Sequence, residues 1–242
     1  MNRRRADVML VELGFFQSRA RAQEAIAAGL VTANGAPVRK ASEPLSDDAV
    51  IQAEEPHPYV SRGGVKLAAA LDAFGFDPAG RVCLDVGAST GGFTEVLLGR
   101  GAARVYAVDV GRGQLHPTLY GNRRVVSLES TDARALDRTL VPEPVEMLVA
   151  DVSFISLRLV LPPAVALLAP QAALAVLVKP QFEAGPAFVK KGIVRDEAVR
   201  RRVCRELTQF VAALGFAVID VVPSPIEGGD GNREYLLGAR RG

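Results

Sequence analysis

In the stretch CLDVGASTGGFTEVLL, residues 83–98, an apolar run is followed by Gly87, Gly91 and Gly92 and then by helix-compatible residues. That order describes a strand, a glycine turn and a helix, the first βα unit of a nucleotide-binding α/β fold. A P-loop needs lysine where Phe93 stands, and without it a triphosphate is poorly neutralised. A dinucleotide fingerprint needs its middle glycine where Ser89 stands, which weakens the case for NAD. A third candidate is S-adenosylmethionine, a nucleoside without phosphates whose amino-acid end needs close backbone approach and whose ribose needs an acid. Asp109, at the end of RVYAVDV, stands about as far downstream as a ribose-binding carboxylate requires.

The chain has 24 arginines and only five lysines, so each lysine in an apolar setting raises a chemical question. Lys66 lies in SRGGVKLAAAL among Val65, Leu67 and Leu71, and Lys179 directly follows the run AALAVLV. A cation at the end of a buried strand must reach solvent or pair with an acid. Asp151, which ends MLVAD, and Glu234, which opens the last strand after GDGNR, are such acids. In open α/β sheets ligands sit outside the carboxyl ends of the strands, so Asp85, Asp109, Asp151 and Lys179 are expected to converge on one crevice.

The elements that must position these residues are legible as alternation. Strands are predicted at 82–87, 104–109, 124–128, 146–151, 172–178, 216–222 and 234–239, with helices around 64–74, 92–100, 157–168 and 196–214. This implies a mostly parallel, seven-stranded α/β sheet covered on both faces, with its last two strands joined tightly through SPIEGGDGNRE.

The first 40 residues differ in character. They carry seven basic side chains against three acidic ones, whereas residues 41–55 carry five acids and no base. Two short helices are expected within 5–29, with Ser18 as an N-cap and Gly29 as a stop, followed by a hairpin about Asn34-Gly35 and a strand at DDAVI. A basic patch on a small module suits contacts to nucleic-acid phosphates. AEEPHPYV, with two prolines, reads as a linker. No apolar stretch approaches the length of a membrane span, and the opening MNRRRADVML lacks a signal-peptide pattern, so a cytoplasmic protein is expected. Cys83, Cys204, His57 and His116 match no metal spacing and imply no disulfide framework.

The segment LGFFQSRARAQEAIAAGLVTANGAPVRKASEPLSDDAVI resembles an S4 domain, a small α+β RNA-binding module. The resemblance points to Arg4, Arg19, Arg21 and Lys40 as RNA contacts. Farther on, Lys66, Asp151, Lys179 and Glu234 resemble the Lys-Asp-Lys-Glu tetrad of FtsJ-type ribose 2′-O-methyltransferases. YVSRGGVKL, LDVGASTGGFTEVLL, DVSFISL, LVKPQFEAG and GNREY together resemble the TlyA (hemolysin A) family of S4-linked ribosomal RNA methyltransferases.

The family resemblance implies an S4 domain over 1–55, a linker at 56–60 and a Rossmann-like class I methyltransferase domain over 61–242. It implies S-adenosylmethionine as cofactor, held by Asp85, the turn residues Gly87, Ala88, Ser89, Thr90, Gly91, Gly92 and Phe93, and by Asp109 at the ribose and Asp132 at the adenine. Phe93 is expected to pack under the turn. Ribosomal RNA would be the partner of a monomeric enzyme, with Arg62, Lys190 and Lys191 adding contacts and residues 182–196 forming a lid or a solvated loop. In the implied reaction a ribose 2′-hydroxyl of cytidine attacks an activated methyl group. Lys179 then serves either as a neutral proton acceptor or as a charged donor that steers the hydroxyl. A membrane-active hemolysin and a noncatalytic RNA-binding factor are the alternatives from other classes.

Overall fold

The computed structural model describes residues 3–228 and 231–242, and the chain divides into two compact units between Pro58 and Tyr59. In the first unit, β1 (Arg3–Arg5) leads into α1 (Ala6–Glu12) and α2 (Arg19–Ala27), followed by β2 (Val31–Ala33), β3 (Ala36–Pro37), β4 (Pro44–Ser46) and β5 (Ile51–Ala53). Ser18 caps α2, its hydroxyl accepting from the Arg21 amide at 3.3 Å. Asn34 and Gly35 both have positive φ, 52° and 78°, as a two-residue hairpin turn with the twist of its strands demands. Met9, Leu10, Phe16, Ala22, Ile26 and Val31 form the core. The pairing of β1 with β4 has no signature in the sequence, because three residues on each side are too few to show a period.

The second unit begins with α3 (Gly63–Phe74), β6 (Val82–Val86), α4 (Gly92–Gly99), β7 (Arg104–Val108), α5 (Pro117–Tyr120) and β8 (Val125–Leu128). It continues with β9 (Val145–Ala150), α6 (Leu157–Val165), β10 (Leu168–Val178), α7 (Pro180–Glu183), α8 (Glu197–Ala213), β11 (Ala217–Pro223) and β12 (Tyr235–Arg241). The seven-stranded sheet has the order β11-β12-β10-β9-β6-β7-β8, and β12 runs antiparallel to both of its neighbours.

The period-two geometry of a strand sorts each central strand onto two cores. Leu84, Val86, Leu148, Leu174 and Val176 face α6 and α8, while Cys83, Met147, Val149, Ala175 and Leu177 face α3 and α4. In the first unit the strand expected at DDAVI is instead Ile51–Ala53, after a turn at Asp47–Asp48, and in the second unit two boundaries differ from expectation by three residues or more. Helix α6 stops at Val165, and the amide of its cap residue Ala166 donates to the Pro162 carbonyl at 3.2 Å. Strand β10 starts at Leu168, which pairs with Val145 before a register shift leads into the pairing that begins at Ala173.

The expected linker is shorter than 56–60. His57 is packed in the first unit, where its ring and carbonyl meet the Arg21 guanidinium. In the second unit, the Val60 amide donates to Glu95 Oε2 at 2.6 Å, and Tyr59 packs so closely on Gly64 that a Cβ there would lie 2.4 Å from its ring.

Candidate active site

Strands β6 and β9 lie side by side, but their following helices α4 and α6 cover opposite faces, and a crevice opens where they diverge. It has a volume of about 350 Å³, within the range of small-molecule sites. From the glycine turn, Gly87 and Ser89 line it, and Asp109, Asp132 and Asp151 reach it from the ends of β7, β8 and β9. Among the described residues, no lysine or arginine lines it. That electrostatic character disfavours a phosphorylated nucleotide and suits a nucleoside bearing positive charge.

The turn is built for close packing as much as for a ligand. Gly87 has φ 85°, and a Cβ there would lie 2.5 Å from the Asp151 carbonyl oxygen. Gly91 lies under Leu115 and Leu119, Gly92 lies against Ser61, and Phe93 is buried in the α3–α4 core. Ala88 is buried with its amide on the Val108 carbonyl, and the Thr90 carbonyl accepts from the His116 amide. So Ala88, Thr90, Gly91, Gly92 and Phe93 shape the turn and do not line the crevice. Phe93 does pack beneath the turn.

Asp85 is also displaced from its expected place. It is fully buried under the turn, with Oδ2 accepting from the Thr94 hydroxyl at 2.7 Å and Oδ1 without a hydrogen-bond partner. Burial first, and then the negative charges of Asp151 and Asp109, push its carboxyl up to about 7, although the Thr94 hydroxyl opposes the rise.

Asp109 Oδ2 accepts from the Ser89 amide at 2.8 Å and Oδ1 from the Gly111 amide at 2.7 Å, so the carboxylate joins the turn to the loop after β7. Glu129 secures that loop further by accepting from the Gly113, Gln114 and Leu115 amides. Asp132 begins the short 3-10 helix Ala133–Ala135 and is paired with Arg134, which holds its carboxyl down at about 2.

Two lysine–carboxylate pairs stand at the same end of the sheet. Lys66 Nζ, on α3, lies 2.6 Å from Glu234 Oε2, and both side chains are buried. Lys179 Nζ lies 2.5 Å from Asp151 Oδ1 and donates to Ser153 Oγ at 2.9 Å. The pairing of Val178 with Tyr235 explains the juxtaposition: Lys179 leaves β10 beside the point where Glu234 enters β12. Gln181 Nε2 donates to Glu234 Oε1 at 3.4 Å.

Sequence reasoning missed Ser153, Gln181, Phe154 and Asn232. Ser153 and Phe154 follow Asp151 within DVSFISL, and Gln181 follows Lys179 within LVKPQFEAG, so proximity to a suspected site residue was the available signal. Phe154 is 91% exposed at the crevice, has φ 63° and packs against Phe182 with ring centres 5.1 Å apart. Within the segment 182–196, residues Pro186–Phe188 form one 3-10 turn and a single β-bridge pairs Lys190 with Ile193. Lys191 and Gly192 make a positive-φ turn between Lys190 and Ile193, and Asn232 Nδ2 donates to the Gly192 carbonyl at 2.9 Å.

Among the expected RNA contacts, Arg19 shares the buried Asp7 carboxylate with Arg5 but keeps 56% of its side chain exposed. Arg4 pairs with Asp47 and Glu12. Arg21 is only 14% exposed and bonds to Glu55 and His57, so its donors are spent inside the first unit. Lys40, Arg62, Lys190 and Lys191 are exposed at the surface.

A sheet of this order, with an acidic nucleoside-sized crevice at the β6/β9 divide, defines a class I S-adenosylmethionine-dependent methyltransferase. Residues 59–241 match the FtsJ-like methyltransferase family, and residues 4–51 match the S4 domain. Over 241 residues the chain is 45% identical to the 16S/23S rRNA (cytidine-2′-O)-methyltransferase TlyA of Mycobacterium tuberculosis, covering 98% of this chain and 90% of that protein. It is 38% identical to Hemolysin A of Brachyspira hyodysenteriae, with 96% of this chain and 98% of that protein covered. A solved structure from Streptococcus thermophilus, described as a candidate hemolysin, matches with a TM-score of 0.79 at 39% identity, over 100% of this chain and 89% of that one. The chain belongs to the TlyA family of FtsJ-like methyltransferases that carry an S4 domain.

Proposed function

We propose that this protein transfers a methyl group from S-adenosylmethionine to the ribose 2′-hydroxyl of a cytidine in ribosomal RNA. The observation that carries this reading is the pair of lysine–carboxylate contacts, Lys66–Glu234 and Lys179–Asp151, beside a crevice lined by acidic side chains. The names of relatives such as the mycobacterial enzyme support the choice of substrate.

The crevice suits the cofactor: Asp109 would hold the ribose hydroxyls, Asp132 the adenine amino group, and Gly87 and Ser89 the amino-acid end. The acidic lining complements the cofactor's sulfonium and ammonium charges. S-adenosylmethionine supplies a methyl group already activated on a sulfonium.

A ribose hydroxyl is a weak acid, so the protein must align its oxygen and provide for its proton. Lys179 takes that proton. The ammonium that results lies 2.5 Å from Asp151 Oδ1 and donates to Ser153 Oγ at 2.9 Å. Asp151 stabilises the cation so formed, while the Lys66–Glu234 pair, braced by Gln181, fixes the start of β12. Arg4, Arg19 and Lys40 of the S4 unit hold structured RNA mainly by phosphate and shape contacts. The enzyme then works where ribosomes are, in the cytoplasm, and among the described residues no helix is long and apolar enough to cross a membrane.

The test is methyl transfer from labelled S-adenosylmethionine to ribosomal subunits and naked rRNA, comparing wild type with Lys179→Ala. Label on a cytidine ribose, absent with the variant while the cofactor still binds, is expected. A wild type that binds cofactor and RNA but labels no RNA overturns the reading in favour of a noncatalytic RNA-binding factor.

A further inference from the structure

A second pocket lies between the Lys190–Ile193 hairpin and the loop that ends at Glu234. Its volume is about 430 Å³, and it is lined by Ile193, Val194, Arg195, Arg200, Gly231 and Arg233. Among the described residues, half of that lining is arginine and none of it is acidic.

Arg200 is the unusual member. It is 8% exposed, and its Nη1 donates to the carbonyls of Val194 and Arg195 at 2.9 and 2.8 Å. Its Nε is buried without a hydrogen-bond partner, and among the described residues no carboxylate forms an ion pair with it. Glu197, the acid whose charge reaches Arg200 and Arg233, is bound to Arg201. Asp196 directs Oδ1 to the Ala198 amide as the cap of α8. A nearly buried guanidinium is costly without a counter-charge, and here two exposed arginines add to it. The guanidinium fork matches phosphate oxygens in geometry and charge.

The pocket is also tied to the reacting centre. Arg233 directly precedes Glu234, and Asn232 fastens the hairpin to the same loop through the Gly192 carbonyl at 2.9 Å and the Val194 amide at 3.4 Å. We propose that the Arg195–Arg200–Arg233 pocket binds a backbone phosphodiester of the substrate RNA, close in the strand to the nucleotide that is methylated. The proposal rests on the methyltransferase reading above. It adds a binding site that joins residues from three separate stretches of the sequence, and it assigns the pocket an anchoring role.

The test uses the full-length protein with 16S and 23S rRNA transcripts as probes, measuring the dissociation constant across a salt series alongside labelled methyl transfer. Arg195→Ala/Arg233→Ala is expected to weaken RNA binding about tenfold at moderate salt and to lower the log–log salt slope by about 0.7, the value for one phosphate of a single strand left without its cation. Its affinity for S-adenosylmethionine should stay that of the wild type. Arg195→Lys/Arg233→Lys, which keeps the charge, should restore the slope, and Arg200→Lys should bind RNA more tightly than Arg200→Ala. An alanine double variant that melts and labels RNA like the wild type, with unchanged affinity and slope, overturns the pocket proposal alone. A wild type that binds RNA with a slope the double variant lowers, yet transfers no label, overturns the methyltransferase reading and leaves the phosphate site standing.

Discussion

Lys66 Nζ and Glu234 Oε2 are 2.6 Å apart although the residues are separated by 168 positions in sequence, and both are buried. Removing one partner of a buried ion pair leaves the other uncompensated, at a cost of about 3–5 kcal/mol, whereas neutralising both costs far less. Lys66→Met should therefore lower stability in chemical denaturation by roughly that amount. Lys66→Met/Glu234→Gln should regain most of it while remaining inactive in methyl transfer. A double variant as unstable as the single one would show that the pair's charges are not what matters for folding.

Asp85 makes stability depend on pH. Its carboxyl is raised from 3.8 to about 7 in the folded chain, so the native state holds a proton that the unfolded state has released. Its stabilising contribution is complete below about pH 4 and is lost as pH rises through about 7, a difference of up to about 4 kcal/mol. Asp85→Asn should flatten that part of the stability profile. Melting curves from pH 4 to 8 with the same downward trend in both proteins would assign the trend to other groups.

Glu183 holds the start of α6 at the crevice. Its carboxylate accepts from the Ser156 hydroxyl at 2.6 Å and the Leu157 amide at 2.7 Å, joining the segment after Asp151 to the one after Lys179. Burial raises its carboxyl above the usual glutamate range, against the pull of both hydrogen bonds. As a positioning residue it should reveal itself in kcat: Glu183→Ala should lower kcat about tenfold with little change in cofactor affinity, and Glu183→Gln should recover much of that activity. Equal impairment in both variants would argue against the acceptor role.

Gly87 admits no side chain. A Cβ would stand 2.5 Å from the Asp151 carbonyl on a backbone with φ 85°. Gly87→Ala should cost about 1–3 kcal/mol and weaken cofactor binding as well, since Asp151 must move. Isothermal titration with S-adenosylmethionine, run beside a melt, checks both.

Asp7 anchors the first unit. It is completely buried and accepts from Arg5, Arg19 and Gln23, and those bonds, led by that of Arg5, hold its carboxyl well below 3.8. The stability it contributes is present above about pH 4 and lost on acidification through the depressed value. Asp7→Asn should lower the unit's stability at neutral pH and remove its share of the acid limb, as followed by hydrogen exchange of α1 amides.

The methyltransferase fold was largely legible because its central strands are continuous apolar runs, each closing on a residue of chemical interest: Asp109, Asp151, Lys179. The two lysines stood out because apolar neighbours leave a cation few choices. The division of labour inside the glycine turn was not legible. Glycine at 91 and 92 answers to Leu119 and Ser61, which sequence cannot place beside it, and the same letters would serve a ligand equally well. Arg21 reads as one more surface base, yet contacts with residues 34 and 36 positions away turn it inward. The arginine pocket escaped notice for a similar reason: Arg195 and Arg200 meet Arg233 only through the fold.

Strand β12 slots between β10 and β11, both of which leave the ribosome before it. The order of synthesis thus leaves the gap between those two strands to be filled last, and Glu234 arrives with the filling strand. A nascent or truncated chain can assemble the cofactor crevice and still lack the residue that meets Lys66. Lys66 and Glu234, far apart in the chain, therefore meet only when the last strand takes its place in the sheet.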